Sequence, residues 1–261
     1  MILVDAHVHA SQYWFEPVET LLFQMQRHGV AKAVLVQHFG NYHNQYVLEC
    51  IHNYPGLFVA VVLVDTQRAD ATGTLEKWAE KGATGVRLRA NERSPGPDSL
   101  AIWRKASELG LVVSGFGTAD MFAADEFRRL VEELPNLKIV LEHMAGAEPE
   151  PQTDYNLFEK VLVLAEYPNI YIKLHGFGEL LPRPMPFSTG ATFHGPPRVV
   201  RMAYEVFGRQ RMMWGSNFSS CSKLEGYTNA LRLPMKRTPF FSEEDKEWIF
   251  GKTALSVWKM A

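Results

Sequence analysis

Residues 1–14, MILVDAHVHASQYW, contain a short apolar run that ends in closely spaced polar side chains. If residues 2–9 form a β-strand, side chains alternate between its two faces, so Asp5, His7 and His9 share one face. The opposite face then carries the apolar side chains Ile2, Val4, Ala6 and Val8. Two imidazoles on one face at the end of a strand can hold one metal ion or bind one substrate.

The same pattern recurs in seven further runs along the chain. In order, the eight runs cover residues 2–8, 31–38, 57–64, 84–90, 111–117, 137–143, 170–176 and 211–217. Most are almost continuously apolar, which is typical of parallel strands covered by helices. Eight strands alternating with amphipathic segments in 261 residues predict an α/β protein, a single (β/α)8 TIM barrel that forms one domain over residues 1–261.

Four of the intervening segments have clear helical patterns. Residues 17–28, 125–134 and 156–167 place apolar side chains at helical spacing. The C-terminal segment opens with Ser242 and Asp245 in the arrangement of a capping box, which predicts a helix start at that point.

Composition and charge exclude several classes of protein. The chain is 46% hydrophobic with a formal net charge of −2, so it has no basic surface for nucleic acid or membrane. Its two cysteines, Cys50 and Cys221, imply no disulfide framework. We find no targeting segment and no apolar run of roughly 20 residues. We therefore expect a cytoplasmic protein that acts on a small molecule and binds neither nucleic acid nor membrane. The sequence leaves a homo-oligomer open.

Polar side chains collect at the carboxyl ends of the predicted strands, where barrel enzymes build their sites. Five of the nine histidines lie there, together with two arginines, a lysine and two amides. The complete set is His7, His9, Gln37, His38, Arg87, Arg89, Glu142, His143, Lys173, His175, Ser216 and Asn217.

Two of these groups have alternative interpretations. Same-face histidines suit Zn²⁺, and Asp5 could accept the N–H of one imidazole. Glu142 is expected to face away from His143, towards a helix. Arg87 and Arg89 either form an ion pair with a carboxylate such as Asp5 or Glu92, or clamp a substrate carboxylate.

Five segments in order resemble the amidohydrolase superfamily, specifically its amidohydrolase-2-type branch. They are VDAHVH (4–9), GATGVRLRANE (82–92), PNLKIVLEHMAG (135–146), YPNIYIKLHGF (167–177) and RQRMMWGSNFS (209–219). That branch contains lactonases, such as those acting on 2-pyrone-4,6-dicarboxylate or sugar lactones, and non-oxidative decarboxylases. The resemblance implies a TIM barrel and a hydrolase.

The sequence departs from the family pattern at two points. Asn217 stands where strand 8 of the family normally has aspartate, and the fifth run ends without the histidine that many relatives carry. A carboxamide cannot accept a proton as a carboxylate does. His7, His9 and His143 remain as ligands for one divalent metal such as Zn²⁺, with water in the fourth position. Relatives that lack the fifth-strand histidine include lactonases thought to be metal-independent, so both alternatives stay open.

The resemblance favours a lactonase acting on a small carboxylated lactone or ester. The alternatives are a metal-dependent decarboxylase of an aromatic acid, and a catalytically impaired barrel that only binds a small acid. We assign catalysis to His143, His175 and Asn217. Substrate binding is assigned to a second group, Arg87, Arg89, Lys173 and His38.

Overall fold

The structure, a computed structural model, describes residues 1–149, 154–183, 185 and 195–260. Eight strands form one sheet in sequential order, and each pairs in parallel with the next. They are β1 (Leu3–Val8), β2 (Val30–Val36), β3 (Phe58–Val62), β4 (Ala83–Arg89), β5 (Val112–Phe116), β6 (Ile139–Leu141), β7 (Ile170–Leu174) and β8 (Met212–Trp214). The predicted (β/α)8 barrel is confirmed.

Helices cover the outside of the sheet. The α-helices are Val18–His28, Gln45–Asn53, Ala71–Glu80, Ala101–Glu108, Ala119–Ala123, Asp125–Glu133, Asn156–Leu162, Arg198–Phe207, Gly226–Arg237, Glu243–Glu247 and Thr253–Val257. Short 3-10 turns occupy Val163–Glu166, Phe177–Glu179, Arg209–Arg211 and Ser220–Lys223, and Trp248–Lys252 is a π-helical turn. No helix among the described residues is long and apolar enough to cross a membrane.

The barrel closes just beyond the end of β8. The backbone N–H of Asn217 donates to the carbonyl of His7 (2.9 Å), and the N–H of His9 donates to the carbonyl of Phe218 (2.6 Å). These bonds join β1 to the segment that follows β8. As a result, two histidines and the asparagine from opposite ends of the chain lie side by side at the carboxyl rim.

Two apolar clusters stabilise this arrangement. The larger lies between the strands and the helices. The smaller fills the barrel interior with alternate strand residues, such as Val34 and Val140, and includes Trp258, which directly follows the last helix. The predicted capping box begins the helix Glu243–Glu247, where the Asp245 N–H donates to Ser242 Oγ (3.2 Å) and the Ser242 N–H donates to the Asp245 carboxylate (2.8 Å).

The first strand contains a β-bulge that the sequence pattern did not predict. Its register against β2 shifts between Asp5 and Val8, which breaks the alternation of faces. Asp5 points outward and accepts a hydrogen bond from the Tyr227 hydroxyl (2.9 Å), whereas His7 and His9 project into the mouth of the barrel. The prediction that Asp5 shares a face with the two histidines is therefore wrong.

Candidate active site

The two histidines of β1 point at each other. Their Nε2 atoms lie 3.2 Å apart, and their rings are nearly perpendicular. His9 Nδ1 lies 2.6 Å from the carbonyl oxygen of Val36. Because a carbonyl only accepts, His9 carries its proton on Nδ1, and its Nε2 is the acceptor of the pair. His7 Nε2–H is then the donor.

A buried lysine favours the same tautomer of His7 through its contact with the other ring nitrogen. Lys173 Nζ lies 3.0 Å from His7 Nδ1 and donates to Ser114 Oγ (2.8 Å), which in turn donates to the Glu142 carboxylate (2.6 Å). The ammonium can only donate, so His7 Nδ1 accepts and the proton of His7 remains on Nε2. One chain of hydrogen bonds thus runs from Glu142 to His9 with every proton assigned.

Burial controls the charges in this chain. Burial and the neighbouring Lys173 hold the pKa of His7 well below its usual range, and burial with the Arg87 charge does the same for His9. Burial lowers the pKa of Lys173 to about 8, against the opposing effect of Glu142. At neutral pH His7 and His9 are therefore neutral, and Lys173 is an ammonium.

Arg87 forms a buried ion pair with Glu142. Its guanidinium donates from Nε to both carboxylate oxygens (3.1 and 3.2 Å) and from Nη2 to one of them (2.7 Å), while Nη1 donates to the carbonyl of Gln37 (3.0 Å). Burial alone would raise the pKa of Glu142, but Arg87 and Lys173 lower it to about 2. The partner is thus Glu142 rather than Asp5 or Glu92, and the expectation that Glu142 meets a helix is wrong.

Arg89 has a different environment, although it lies only two residues away. Its guanidinium lies over the ring of Phe39 (4.3 Å) and near that of Phe116 (5.2 Å). No carboxylate of the described chain pairs with it within 4.0 Å. Arg87 is therefore paired inside the barrel, whereas Arg89 lies at the rim without a carboxylate partner among the described residues. The sequence pattern does not distinguish the two.

His143 projects from an unusual turn. The residues His143, Met144 and Ala145 have φ values of 51°, 50° and 54°, and Gly146 continues the same left-handed turn. Left-handed backbone costs about 1–2 kcal/mol for each residue with a side chain, so packing must hold the turn in place. Met144 and Ala145 are fully buried. The turn brings the imidazole ring of His143 to 5.1 Å from that of His7.

Glu179 and Asn217 complete the rim on this side. The carboxylate of Glu179 accepts from His143 Nδ1 (2.7 Å) through one oxygen and from Asn217 Nδ2 (2.8 Å) through the other. Burial alone would raise the pKa of Glu179, whereas His175, His143 and these hydrogen bonds lower it to about 2. Glu179 was not predicted, because it belongs to a 3-10 turn beyond β7 and not to a strand end.

The two other rim histidines are held mainly by ring stacking. His175 stacks on His143 (4.2 Å between ring centroids), and His38 is stacked between His9 (4.4 Å) and Phe15 (3.9 Å). Burial lowers the pKa of His175 to about 3 and, with Arg87, that of His38 to about 4. Both are therefore neutral and weakly basic.

Asp5 does not orient an imidazole. Its carboxylate accepts from the backbone N–H of Ser216 (2.7 Å), from that of His7 (3.3 Å) and from the Tyr227 hydroxyl. Burial raises its pKa to about 6. The expected hydrogen bond to a histidine ring is thus wrong, and Asp5 instead ties β1 to the end of β8.

The spacing of the His7 and His9 nitrogens matches a zinc site, but their protonation does not. Two nitrogens bound to one tetrahedral Zn²⁺ lie about 3.3 Å apart, close to the 3.2 Å between the Nε2 atoms of His7 and His9. However, the Lys173 ammonium keeps a proton on His7 Nε2, the atom that would bind the ion. Among the described residues, three donors come within 4.8 Å of one another in two sets, and His9 belongs to neither.

Neither of those sets improves the fit. One contains His7, Glu142 and His143, and its carboxylate is already held by Arg87. The other contains His143, His175 and Glu179, but its two imidazoles are stacked nearly parallel, at 15°. A metal lies in the plane of each imidazole that binds it, so parallel stacked rings cannot share one ion. With these hydrogen bonds in place, the residues do not fit a divalent metal.

Gly215 allows the close contact between β1 and β8. A Cβ at this position would lie 2.6 Å from His7 Cβ and 2.8 Å from His7 N. Because the nearest atoms are backbone or directly attached to it, they cannot rotate away. We expect Gly215→Ala to destabilise the protein by about 1–3 kcal/mol and to displace His7. Urea unfolding measures the first effect. Gly73→Ala, in an open position on a helix, should cost nothing; equal stability of the two variants would contradict the argument.

A sequence model of the amidohydrolase-2 family, described as amidohydrolase, matches residues 4–260. The chain belongs to the amidohydrolase family. The resemblance carried by the five sequence segments is thereby confirmed. No curated protein sequence gives a significant match.

Solved structures of this amidohydrolase fold are similar over the whole chain. A probable 2-pyrone-4,6-dicarboxylic acid hydrolase from Acinetobacter baumannii, with citric acid bound, is 19% identical with a TM-score of 0.78, over 99% of this chain and 100% of that one. An amidohydrolase from Burkholderia multivorans with bound zinc is 16% identical with a TM-score of 0.81, over 100% of both chains. The 5-carboxyvanillate decarboxylase of Sphingomonas paucimobilis is 14% identical with a TM-score of 0.62, over 100% and 99%. These likenesses establish the shared fold.

Proposed function

We propose that this amidohydrolase hydrolyses a small lactone or ester that carries a carboxylate. The observation that supports it best is the assigned proton on His7 Nε2, backed by the Lys173 ammonium 3.0 Å from Nδ1. A donor supported by a buried cation is suited to the oxyanion that forms when water attacks a carbonyl. In this proposal the substrate carbonyl accepts from His7 in place of His9.

Activation of the attacking water requires a base on the same side of the site as the substrate carbonyl. His143 is the best candidate, because its Nδ1 bonds to a carboxylate and its Nε2 lies on the side of Glu142, 3.8 Å from that carboxylate. His175 and His38 have strongly lowered pKa values and accept protons poorly. Asn217 cannot serve, since its side chain is an amide.

In this proposal Arg89 binds the carboxylate of the substrate. Arg87 uses its donors on Glu142 and Gln37, whereas Arg89 has its guanidinium at the rim between two aromatic rings. Citric acid in one structural relative and the dicarboxylic acid in that relative's name are consistent with an anionic substrate. A metal-dependent decarboxylase is less well supported, because the donor atoms do not fit a divalent cation.

Hydrolysis by the purified protein tests this function. A panel of lactones and esters, each with and without a carboxylate, is followed by pH-stat titration, which detects one new acid group per turnover. We expect turnover of carboxylated members, undiminished after dialysis against a chelator. Decarboxylation of an aromatic acid, or turnover that disappears with the chelator, would favour the metal-dependent alternative. Tight binding without turnover would favour a barrel that only binds acids.

Replacement of Arg89 by glutamine is expected to raise KM for a carboxylated substrate by about 10- to 100-fold. Hydrogen bonds to charged groups contribute about 1.5–3 kcal/mol, and tenfold corresponds to about 1.4 kcal/mol. KM for the matched uncharged ester should change little. Arg128→Gln, at an exposed position of a helix, is the control. Equal effects on charged and uncharged substrates would contradict the assignment.

A further inference from the structure

A carboxylate from another segment of the chain lies beside Asn217. In the family pattern the position of Asn217 carries an aspartate, and here it carries an amide. That amide nevertheless donates to a carboxylate, because Asn217 Nδ2 lies 2.8 Å from Glu179 Oε1. The second oxygen, Glu179 Oε2, accepts from His143 Nδ1 at 2.7 Å. One carboxylate therefore bridges the amide and the imidazole.

We infer that Glu179, held by Asn217, is the positioning residue that orients His143 as the general base of the proposed hydrolysis. The inference rests on the proposed function for its reaction, but its hydrogen bonds stand independently of the substrate. With Nδ1–H donated to Glu179, the lone pair of His143 is on Nε2. That atom faces the interior of the site, on the side of Glu142 and within the same group of rings as His7.

The reaction then balances without a metal. His143 Nε2 takes a proton from water as the water oxygen bonds to the carbonyl carbon, and the carbonyl electrons move to the oxygen that His7 Nε2–H stabilises. The tetrahedral intermediate collapses, the ring C–O bond breaks, and the leaving oxygen receives the proton from His143. The carboxylate of Glu179 stabilises the transient imidazolium, as an acidic residue does beside a catalytic histidine.

The contact with Glu179 explains why an amide suits position 217 better than a carboxylate. An aspartate at 217 would place a second carboxylate in contact with Glu179. Like charges at hydrogen-bond distance cannot both remain ionised and in place, so one would bind a proton or Glu179 would leave His143. The amide avoids this conflict and donates to the carboxylate. The asparagine is thus matched to Glu179 and does not by itself indicate a disabled enzyme.

Four variants test the inference on a substrate found by the hydrolysis panel. Glu179→Gln keeps the shape but removes the charge, and we expect kcat to fall about 100-fold with KM nearly unchanged. Glu179→Asp should recover part of the loss. Asn217→Asp should lower kcat at least tenfold at pH 7. Glu166→Gln, at an exposed site, should match the unmodified protein. A kcat that survives Glu179→Gln, or rises in Asn217→Asp, would overturn the inference.

A spectroscopic measurement separates this inference from the proposed function. Nitrogen-15 NMR of the histidine side chains reports which ring nitrogen carries the proton, and His143→Asn identifies the signal of His143. We expect protonated Nδ1 and unprotonated Nε2, with this preference lost in Glu179→Ala. If the protein hydrolyses no lactone yet shows this tautomer, the proposed function fails and the hydrogen-bonded arrangement stands. If His143 carries its proton on Nε2, the inference fails whatever the activity.

Discussion

Replacing Arg87 by methionine is expected to cost about 3–5 kcal/mol of unfolding free energy. The substitution leaves Glu142 fully buried without its main partner, which donates three hydrogen bonds to it. Removal of one member of a buried ion pair has an effect of this size because the remaining charge is no longer compensated. Chemical unfolding in urea at pH 7 measures the loss.

A double variant provides the control for this prediction. Arg87→Met combined with Glu142→Leu removes both charges, and we expect it to recover at least half of the loss, since apolar residues often replace a buried ion pair at little cost. Arg68→Met, whose ion pair with Asp70 is exposed on both sides, should cost much less than Arg87→Met. A double variant less stable than the single one would show that the ion pair is not the cause.

The pH dependence of stability follows from the same pair. The folded-state pKa of Glu142 is lowered to about 2 from an ordinary 4.5. Its contribution to stability is therefore complete above about pH 4.5 and is lost as the pH falls through about 2. In Arg87→Met the lowering should be smaller, so this part of the acid-induced loss should become shallower than in the unmodified protein.

Lys173→Met should reduce kcat by about 100- to 1,000-fold, the range measured when one donor to an oxyanion is removed elsewhere. Without the ammonium, His7 Nδ1 can take the proton, and His7 Nε2–H is no longer fixed towards the carbonyl. Methionine is apolar and of similar length, and Lys173 is fully buried, so the variant should fold. Turnover of the unmodified protein and the variant under saturating substrate gives the ratio.

Ser114→Ala is the matched control for Lys173. It removes one hydrogen-bond partner of the ammonium but leaves the contact between Lys173 and His7, so the loss in kcat should be tenfold or less. If Ser114→Ala and Lys173→Met reduced kcat equally, the effect would belong to the network as a whole and not to the tautomer of His7.

Activity and stability should respond to Lys173 in opposite directions at alkaline pH. The pKa of Lys173 is lowered from 10.5 to about 8 in the folded state. Between about pH 8 and 10.5 the unfolded chain binds more protons at this residue, so the contribution of Lys173 to stability rises with pH. Activity should fall over the lower part of that range, because the neutral amine no longer supports the charge on the oxyanion.

The sequence determined the elements of this protein that depend on local pattern. Apolar runs with period-two or continuous character identified all eight strands, and the capping box at Ser242 marked the start of the C-terminal helix. The side chains at strand ends followed as a consequence, since parallel strands bring their carboxyl ends to one rim. His7, His9, Lys173 and His143 were predicted as site residues in this way.

Only the tertiary structure decided which of these side chains meet. The register shift between Asp5 and Val8 in β1 turned Asp5 away from the histidines, and local sequence does not reveal a register shift that arises from pairing with another strand. Glu142 lies on the same inward face as Val140, and Arg87, 55 residues away, compensates its buried charge. Glu179 reaches His143 through a turn that no strand pattern predicts. Hydrogen bonds between distant segments therefore determine how the side chains are arranged at a candidate site that the sequence predicted only by its position at the carboxyl rim.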